Sequence, residues 1–290
     1  MPSRSNDKAD TKALPIGAVR RQVERHRGEV ISRISDAVAE ELPVALIYND
    51  RPHAVMMCTP VDLEDFALGF SLSEGIIGEV SEFESARIEP VLAGIEIHIR
   101  VPESRAAVLE ARVRQLTGRT GCGLCGAQTL EAAVRHPAPV KEPATFTEVA
   151  LHRAIAELHS RQTINIATGA THAAAWVLPN GFVELVREDV GRHNALDKLI
   201  GAMLRNGTDV RQGFMLVTSR GSYEMVMKAA TVGIGILVAI SAPTALAIAL
   251  ANETDVTLIG FARADGYSVY ANGHRLIEEE HTSDVKGVIA

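Results

Sequence analysis

Cysteine is scarce: Cys58, Cys122 and Cys125 are the only three in 290 residues. An odd, small number in a chain of this size does not build the disulfide framework of a secreted mini-domain. Basic charge is also short. Lys and Arg total 29 against 36 Asp and Glu, a net charge of -7. That excludes a general nucleic-acid binder, which should be basic, but leaves room for a local basic pocket. No secretory signal is legible, because Arg20-Arg21 is followed by the polar run 22–29 where an apolar stretch would be needed. Internal repeats are absent. The longest uncharged stretch, Ala229 to Ala251, has the length of a membrane helix. Gly233, Gly235 and Ser241-Ala-Pro243 cut it into pieces that suit buried elements of a soluble fold. The expectation is a cytoplasmic protein with no membrane span and no nucleic-acid partner.

What is present fits a globular protein. Apolar residues make up 47% and charged residues 22%, enough for a sizeable core in one large or two smaller domains. Residues 1–27 are polar and without period, and read as a disordered tail. Strands are expected over 43–48 and 53–58, joined at Asn49-Asp50. Thr59-Pro60 then reads as the cap and first residue of a helix whose apolar positions include Leu63, Phe66, Ala67 and Phe70. Ile95, Ile97 and Ile99 alternate as in a half-buried strand, and 104–116 is a helix candidate. Three prolines over 136–143 mark a linker, and Thr145-x-x-Glu148 reads as a capping box opening a helix.

The second half alternates strands and helices. Strands over 171–177 and 182–187 meet at the turn Pro179-Asn-Gly181. A helix (193–205), strand (214–218), helix (223–231), strand (236–240), helix (243–252), strand (256–261) and edge strand (267–270) follow. This pattern predicts a largely parallel sheet covered on both faces. The domain reading is a tail (1–27), an N-terminal α+β domain (28–118), a mobile cysteine loop with its proline linker (119–144), and an α/β domain (145–290).

Gly121-Cys-Gly-Leu-Cys-Gly126 is the sharpest chemical signal. Structural zinc needs four ligands, and no second pair supplies the other two. A thioredoxin-type pair sits at a helix N-terminus directly after a strand, whereas this pair is flanked by glycines after a helix and a loop. Glycines suit a third use, an exposed thiol that carries a group between partners. Arg112, Arg114, Arg119 and Arg135 lie near in sequence and would favour the nucleophilic thiolate if they approached it. Cys58, by contrast, reads as a small buried residue.

Two polar clusters fall at strand-to-helix junctions, the edge where α/β sheets bind ligands. They are Glu188-Asp-Val-Gly-Arg-His-Asn194 and Thr218-Ser-Arg-Gly-Ser-Tyr-Glu224. Each taken alone is explained by capping through Asn194 and Ser222. Together they indicate a pocket for an anionic ligand, with Arg192, His193, Ser219 and Arg220 as binding candidates and Arg263 as a third arginine. His172 is either a pocket residue or a satisfied core residue.

Seven motifs run through the chain in order. They are Met57-Cys-Thr-Pro-Val-Asp-Leu-Glu-Asp65, Gly69-Phe-Ser-Leu-Ser-Glu-Gly-Ile-Ile77, Gly121-Cys-Gly-Leu-Cys125, Thr171-His-Ala-Ala-Ala175, Asp189-Val-Gly-Arg-His-Asn-Ala-Leu-Asp-Lys198, Ser219-Arg-Gly-Ser-Tyr-Glu224 and Ser241-Ala-Pro-Thr244. In these the chain resembles the formate dehydrogenase accessory sulfurtransferases of the FdhD type. The resemblance implies a carrier that takes sulfur from a cysteine desulfurase as a persulfide. It passes that sulfur to the molybdenum (or tungsten) bis(molybdopterin guanine dinucleotide) cofactor destined for formate dehydrogenase. Cys122 would be the carrier and Cys125 a helper. The resemblance also implies a cytidine-deaminase-like three-layer C-terminal domain, a homodimer, and no protein-bound metal. It assigns cofactor binding to the segment Phe261, Ala262, Arg263, Ala264, Asp265 and Gly266, which is here poorer in glycine than the family form. A zinc deaminase is disfavoured, because the His-x-Glu and Pro-Cys-x-x-Cys pattern of that reaction is missing. The alternatives that stand are a non-catalytic chaperone for the cofactor and a zinc-stabilised module.

Overall fold

The computed structural model describes residues 13–109, 135–141 and 144–277. Its N-terminal half holds a four-stranded sheet with strand order β4-β3-β6-β5. The strands are β3 (Leu42–Tyr48), β4 (Arg51–Cys58), β5 (Ser85–Val91) and β6 (Gly94–Arg100). The β3–β4 hairpin turns at Asn49 and Asp50, both at positive φ, where a short polar side chain tolerates the left-handed conformation. One face of this sheet supplies Val44, Leu46, Tyr48, Ile95, Ile97 and Ile99 to a core closed by α1 (Leu63–Ser73) through Phe66, Ala67 and Phe70. Helical structure at 103–109 adds Ala106 and Leu109 to the same core.

The C-terminal half is a six-stranded sheet with strand order β13-β12-β11-β10-β8-β9. Its strands are β8 (His172–Val177), β9 (Val183–Asp189), β10 (Phe214–Val217), β11 (Ile236–Ala239), β12 (Thr257–Arg263) and β13 (Gly266–Ala271). Successive side chains in a strand point to opposite faces, and the two faces are covered by different helices. Ala173, Ala175, Val177, Phe214, Leu216, Ile236 and Val238 meet α2 (Glu148–Arg161) through Leu151, Ala154 and Leu158. Ala174, Trp176, Met215, Val217, Leu237 and Ala239 meet α4 (Arg192–Arg205), α5 (Tyr223–Thr231) and α6 (Ala245–Glu253). The uncharged stretch 229–251 is therefore the end of α5, the buried strand β11 and most of α6. No helix among the described residues is long and apolar enough to cross a membrane. A short α3 (Thr163–Thr168) and a two-stranded pairing of β7 (Phe146–Thr147) with β14 (Leu276–Ile277) complete this half.

Three sequence expectations need correction. The sheet is mixed, not largely parallel: β10–β11 and β11–β12 run parallel, while β8, β9 and β13 pair antiparallel with their neighbours. The turn at Pro179-Asn-Gly181 is the hairpin expected there, and a second short turn at Ala264-Asp265 sends β13 back along β12, while β8 lies antiparallel to β10 as well as to β9. The tail is shorter than 1–27, because β1 (Ala18–Arg27) pairs with β2 (Val30–Ala39) in a long hairpin. Arginines and glutamates dilute the apolar alternation of β1. Cross-strand partners such as Arg25 and Asp36, 2.8 Å apart, and contact with α3 support it instead. Helix caps also shift. Thr147, not Thr145, caps α2 by accepting from the Ala150 N–H, and α1 starts after Asp62 in a left-handed conformation, not at Thr59.

Helices α1 and α4 join the two halves at van der Waals contact of their backbones. A Cβ on Gly69 would lie 1.8 Å from the Asp197 carbonyl oxygen, and one on Gly201 would lie 1.9 Å from that of Asp65. Only hydrogen fits at either position. Buried ion pairs flank the crossing. Lys198 Nζ reaches Asp189 at 2.6 Å and the Thr59 carbonyl at 2.9 Å. Asp65 accepts from Arg187 (2.7 Å) and Arg205 (3.0 Å). Lys228 Nζ contacts both oxygens of Asp197 (2.8 and 2.7 Å) and Glu74 (2.9 Å), while the Ser73 hydroxyl donates to Asp197 at 2.6 Å. Burial raises the pKa of Asp197, and the lysine bridging both its oxygens opposes that rise. Against the same burial, Asp197 and Glu74 raise the pKa of Lys228 and keep it charged.

Two substitutions test this seam. Gly69→Ala overpacks the helix crossing at a cost of about 1–3 kcal/mol, a fall in Tm of about 2–12 °C in a chain of this size. An unchanged calorimetric Tm refutes the close contact. Lys228→Met strands the Asp197 carboxylate and costs about 3–5 kcal/mol. Urea unfolding should show the double variant Lys228→Met/Asp197→Leu recovering much of that loss, whereas equal losses would mean the pair is not coupled.

Candidate functional site

Because β8 runs antiparallel to both β9 and β10, the C-terminal ends of β9, β10, β11 and β12 share one sheet edge with the first residues of β8 and β13. Helices α4 and α5 begin there. Gly191 and Ser222 occupy their N-cap positions without a side-chain cap hydrogen bond, so the capping roles expected of Asn194 and Ser222 do not hold. The first-turn N–H groups and the helix dipoles face this edge, as anion sites require.

The Asp189–Lys198 motif splits by direction. Asp189, Asn194, Asp197 and Lys198 turn inward. Asp189 accepts from the N–H groups of Thr59 (3.0 Å) and Gly191 (2.7 Å), and Asn194 donates to Asp189 (3.0 Å) and to the Met57 carbonyl (2.7 Å). Glu188 likewise serves structure, accepting from the N–H groups of Ile164 and Asn165 at the start of α3 and from the Thr171 hydroxyl. Arg192 and His193 are left at the edge. Among the described residues the buried Arg192 Nε has no hydrogen-bond partner. His193 Nε2 approaches Glu224 at 2.6 Å, too obliquely for a hydrogen bond yet close enough for an ion pair. This contact with His193 holds the Glu224 carboxyl below its usual range.

His172, undecided from sequence, belongs to this group. It opens β8 half-buried, and burial together with the charges of Arg192 and His193 pushes its pKa below the ordinary histidine value. An arginine and two imidazoles, that of His172 with a lowered pKa, therefore gather within electrostatic reach. On the neighbouring strand end Ser219 is buried, its hydroxyl donating to the Arg220 carbonyl at 3.2 Å, while Arg220 is exposed.

The segment Phe261–Gly266 lies at the same edge but beyond β11. Phe261 has φ +52°, a strained value for an aromatic residue, with its N–H bonded to the Ser241 carbonyl at 3.2 Å and an exposed ring. Arg263 pairs with Gly266 across the loop Ala264-Asp265, and Arg263, Ala264 and Asp265 are exposed. Ala262 is fully buried in the core shared with α2, so only its main chain is available to a ligand. Cys58 is buried beside Asp189, and burial first, then that carboxylate, raises its thiol pKa and keeps it inert. Cys122 and Cys125 lie outside the described residues. Among the described residues one group, Glu89, Glu96 and His98, has metal-ligand spacing. It sits on the N-terminal sheet, and His98 already contacts both carboxylates at 3.3 and 3.1 Å.

Sequence reasoning included Glu224 in the Thr218–Glu224 cluster but did not name it among the binding candidates; its pairing with His193 is visible only in the structure.

Comparison with known proteins agrees with this architecture. The FdhD/NarQ family profile matches residues 39–277. A protein called sulfur carrier protein FdhD from Xanthomonas campestris pv. campestris (strain B100) is 55% identical over 261 residues, covering 90% of this chain and 92% of that one. A protein of the same name from Cupriavidus necator is 53% identical over 253 residues, covering 87% and 88%. The crystal structure of a putative formate dehydrogenase accessory protein from Desulfotalea psychrophila superposes with a TM-score of 0.69 at 25% identity, covering 91% of this chain and all of that one. On the strength of the profile and of relatives matched nearly end to end, the chain belongs to the FdhD/NarQ family.

Proposed function

We propose that this protein is a sulfur carrier that serves formate dehydrogenase, acting as a sulfurtransferase. In this reading a cysteine desulfurase loads sulfur on Cys122 as a persulfide, with Cys125 assisting. The acceptor is the molybdenum bis(molybdopterin guanine dinucleotide) cofactor, bound as substrate at the strand-end edge. The observation that carries the reading is the gathering of Arg192, His193 and His172 beside two uncapped helix N-termini, an anionic-ligand geometry in a chain whose relatives are named sulfur carriers.

The residues divide the work. The uncapped N–H groups and Arg192 neutralise phosphate charge, and the planar guanidinium suits two phosphate oxygens at once. Arg220 and the exposed Arg263 extend the cationic track along the edge. His172 stays neutral in the free site, because burial and then the neighbouring Arg192 disfavour a further charge, and takes up a proton when a phosphate arrives. A reducing cytoplasm suits a persulfide, which stray oxidants destroy. A homodimer remains part of the proposal.

Cys122→Ala abolishes activation of formate dehydrogenase while calorimetry shows an unaltered fold. After incubation of the wild type with a desulfurase and L-cysteine, mass spectrometry finds one added sulfur at Cys122. Full activation by the alanine variant together with absence of the adduct would leave the non-catalytic chaperone as the better account.

Binding of guanosine diphosphate, measured by calorimetry, tests the edge. Arg192→Ala weakens it about ten-fold or more, the loss of a charge-assisted hydrogen bond. A bound phosphate favours protonated His172, so binding takes up protons and affinity rises as pH falls from neutrality toward the depressed pKa of the free site. His172→Gln flattens this rise relative to wild type. Identical pH profiles of the two proteins would remove His172 from the site.

A further inference from the structure

The segment that carries the cysteine pair returns at Arg135, 13 residues after Cys122 and ten after Cys125. Arg135 is held from two sides. Its main-chain N–H donates to the Tyr223 phenol oxygen at 2.5 Å, and the same phenol donates back to the Arg135 carbonyl at 2.9 Å. Its guanidinium bonds Glu74 at 2.7 Å and reaches the Ser73 carbonyl at 3.5 Å. Glu74 works against burial, but Lys228 and Arg135 hold its carboxyl below the usual range, so it stays ionised to receive the arginine. Further along, His136 contacts Glu253 at 2.7 Å, and the buried Val140 donates its N–H to the Thr254 carbonyl at 2.9 Å.

The placement of Tyr223 is informative. It lies between Ser222, the N-cap of α5, and Glu224, the ion-pair partner of His193. One helical turn thus grips the chain returning from the cysteines and contributes to the anion-binding edge. The guanidinium side of the grip belongs to the end of α1, in the other half of the molecule.

We propose that Arg135 and Tyr223 form a clamp that fixes where the cysteine-bearing chain meets the body, and so positions the thiol for delivery at the strand-end edge. The proposal rests on the sulfur-carrier reading. Both are positioning residues, since neither touches the reacting sulfur.

Without the clamp, the next buried residue of the described chain is Val140. Each phenol hydrogen bond contributes roughly two- to twelve-fold to the clamped population, which sets the size of the loss expected when it is removed.

The test uses full-length Tyr223→Phe and Arg135→Ala proteins and three measurements: sulfur loading on Cys122 by mass spectrometry, guanosine diphosphate affinity, and the rate of activating formate dehydrogenase produced without a carrier. Loading and affinity are expected to match wild type. The maximal activation rate should fall about three- to ten-fold, the half-saturating dehydrogenase concentration should stay constant, and Arg135→Lys should recover part of the rate. If both variants activate within about two-fold of wild type while Cys122→Ala is inactive, the clamp is wrong and the carrier reading survives. A loss that tracks a fall in Tm or in nucleotide affinity also overturns the clamp. Activity in Cys122→Ala would instead overturn the carrier reading.

Discussion

The crossing of α1 and α4 is the constraint on which the rest of the structure depends. Two glycines, one on each helix, bring the backbones so close that carbonyl oxygens occupy the space of the missing side chains. Neither half buries its helix alone. α1 closes the N-terminal core through Phe66 and Phe70, and α4 closes one face of the larger sheet through Leu196, Leu199 and Met203. The seam turns two modest cores into one rigid body and sets the direction in which α4 presents its first turn.

Charge placement follows from that seam. Asp189, Lys198, Asp197 and Lys228 are all nearly inaccessible, and each carboxylate meets an ammonium group and at least one further donor. Buried pairs of this kind contribute little net stability over apolar packing, yet removing one partner is expensive. They act as a register lock, because a shift of α4 by one residue would separate every pair at once. With the inward positions of the motif so committed, Arg192 and His193 have nowhere to go but the edge, where they meet His172 from the adjacent strand. The placement of Arg192 and His193 at the edge is thus a by-product of how tightly the remainder of the same motif is tied down.

Much of the fold was legible because periodicity reports burial. The alternation of Ile95, Ile97 and Ile99, the helical spacing of Phe66 and Phe70, and the broken apolar stretch 229–251 all translated into the elements found. The β1 strand was not legible, since its stability comes from cross-strand pairing with the equally polar β2 and from contact with α3, which lies far along the chain. The caps failed for a related reason. Thr59 and Asn194 have the chemistry of caps, but partners across the seam took their side chains: the Thr59 hydroxyl accepts from the Val190 N–H, and the Asn194 amide donates to the Met57 carbonyl. Parallel and antiparallel strands were confused because strand composition carries burial but little information about direction.

By itself the sequence determined the residue types available for chemistry: two cysteines set among glycines, arginines and histidines at strand ends, and an apolar pattern sufficient for two cores. These are local properties, readable from neighbours a few positions apart. Only the tertiary structure decided which of them face a ligand. Asp189 and Arg192 stand three residues apart in one motif, yet one is sealed in the seam and the other sits at the edge, with its Nε left unpartnered among the described residues. Asp189 ends β9 and Arg192 opens α4, so the strand-to-helix turn between them sends the two side chains apart, and long-range packing decides which direction meets protein and which meets the edge.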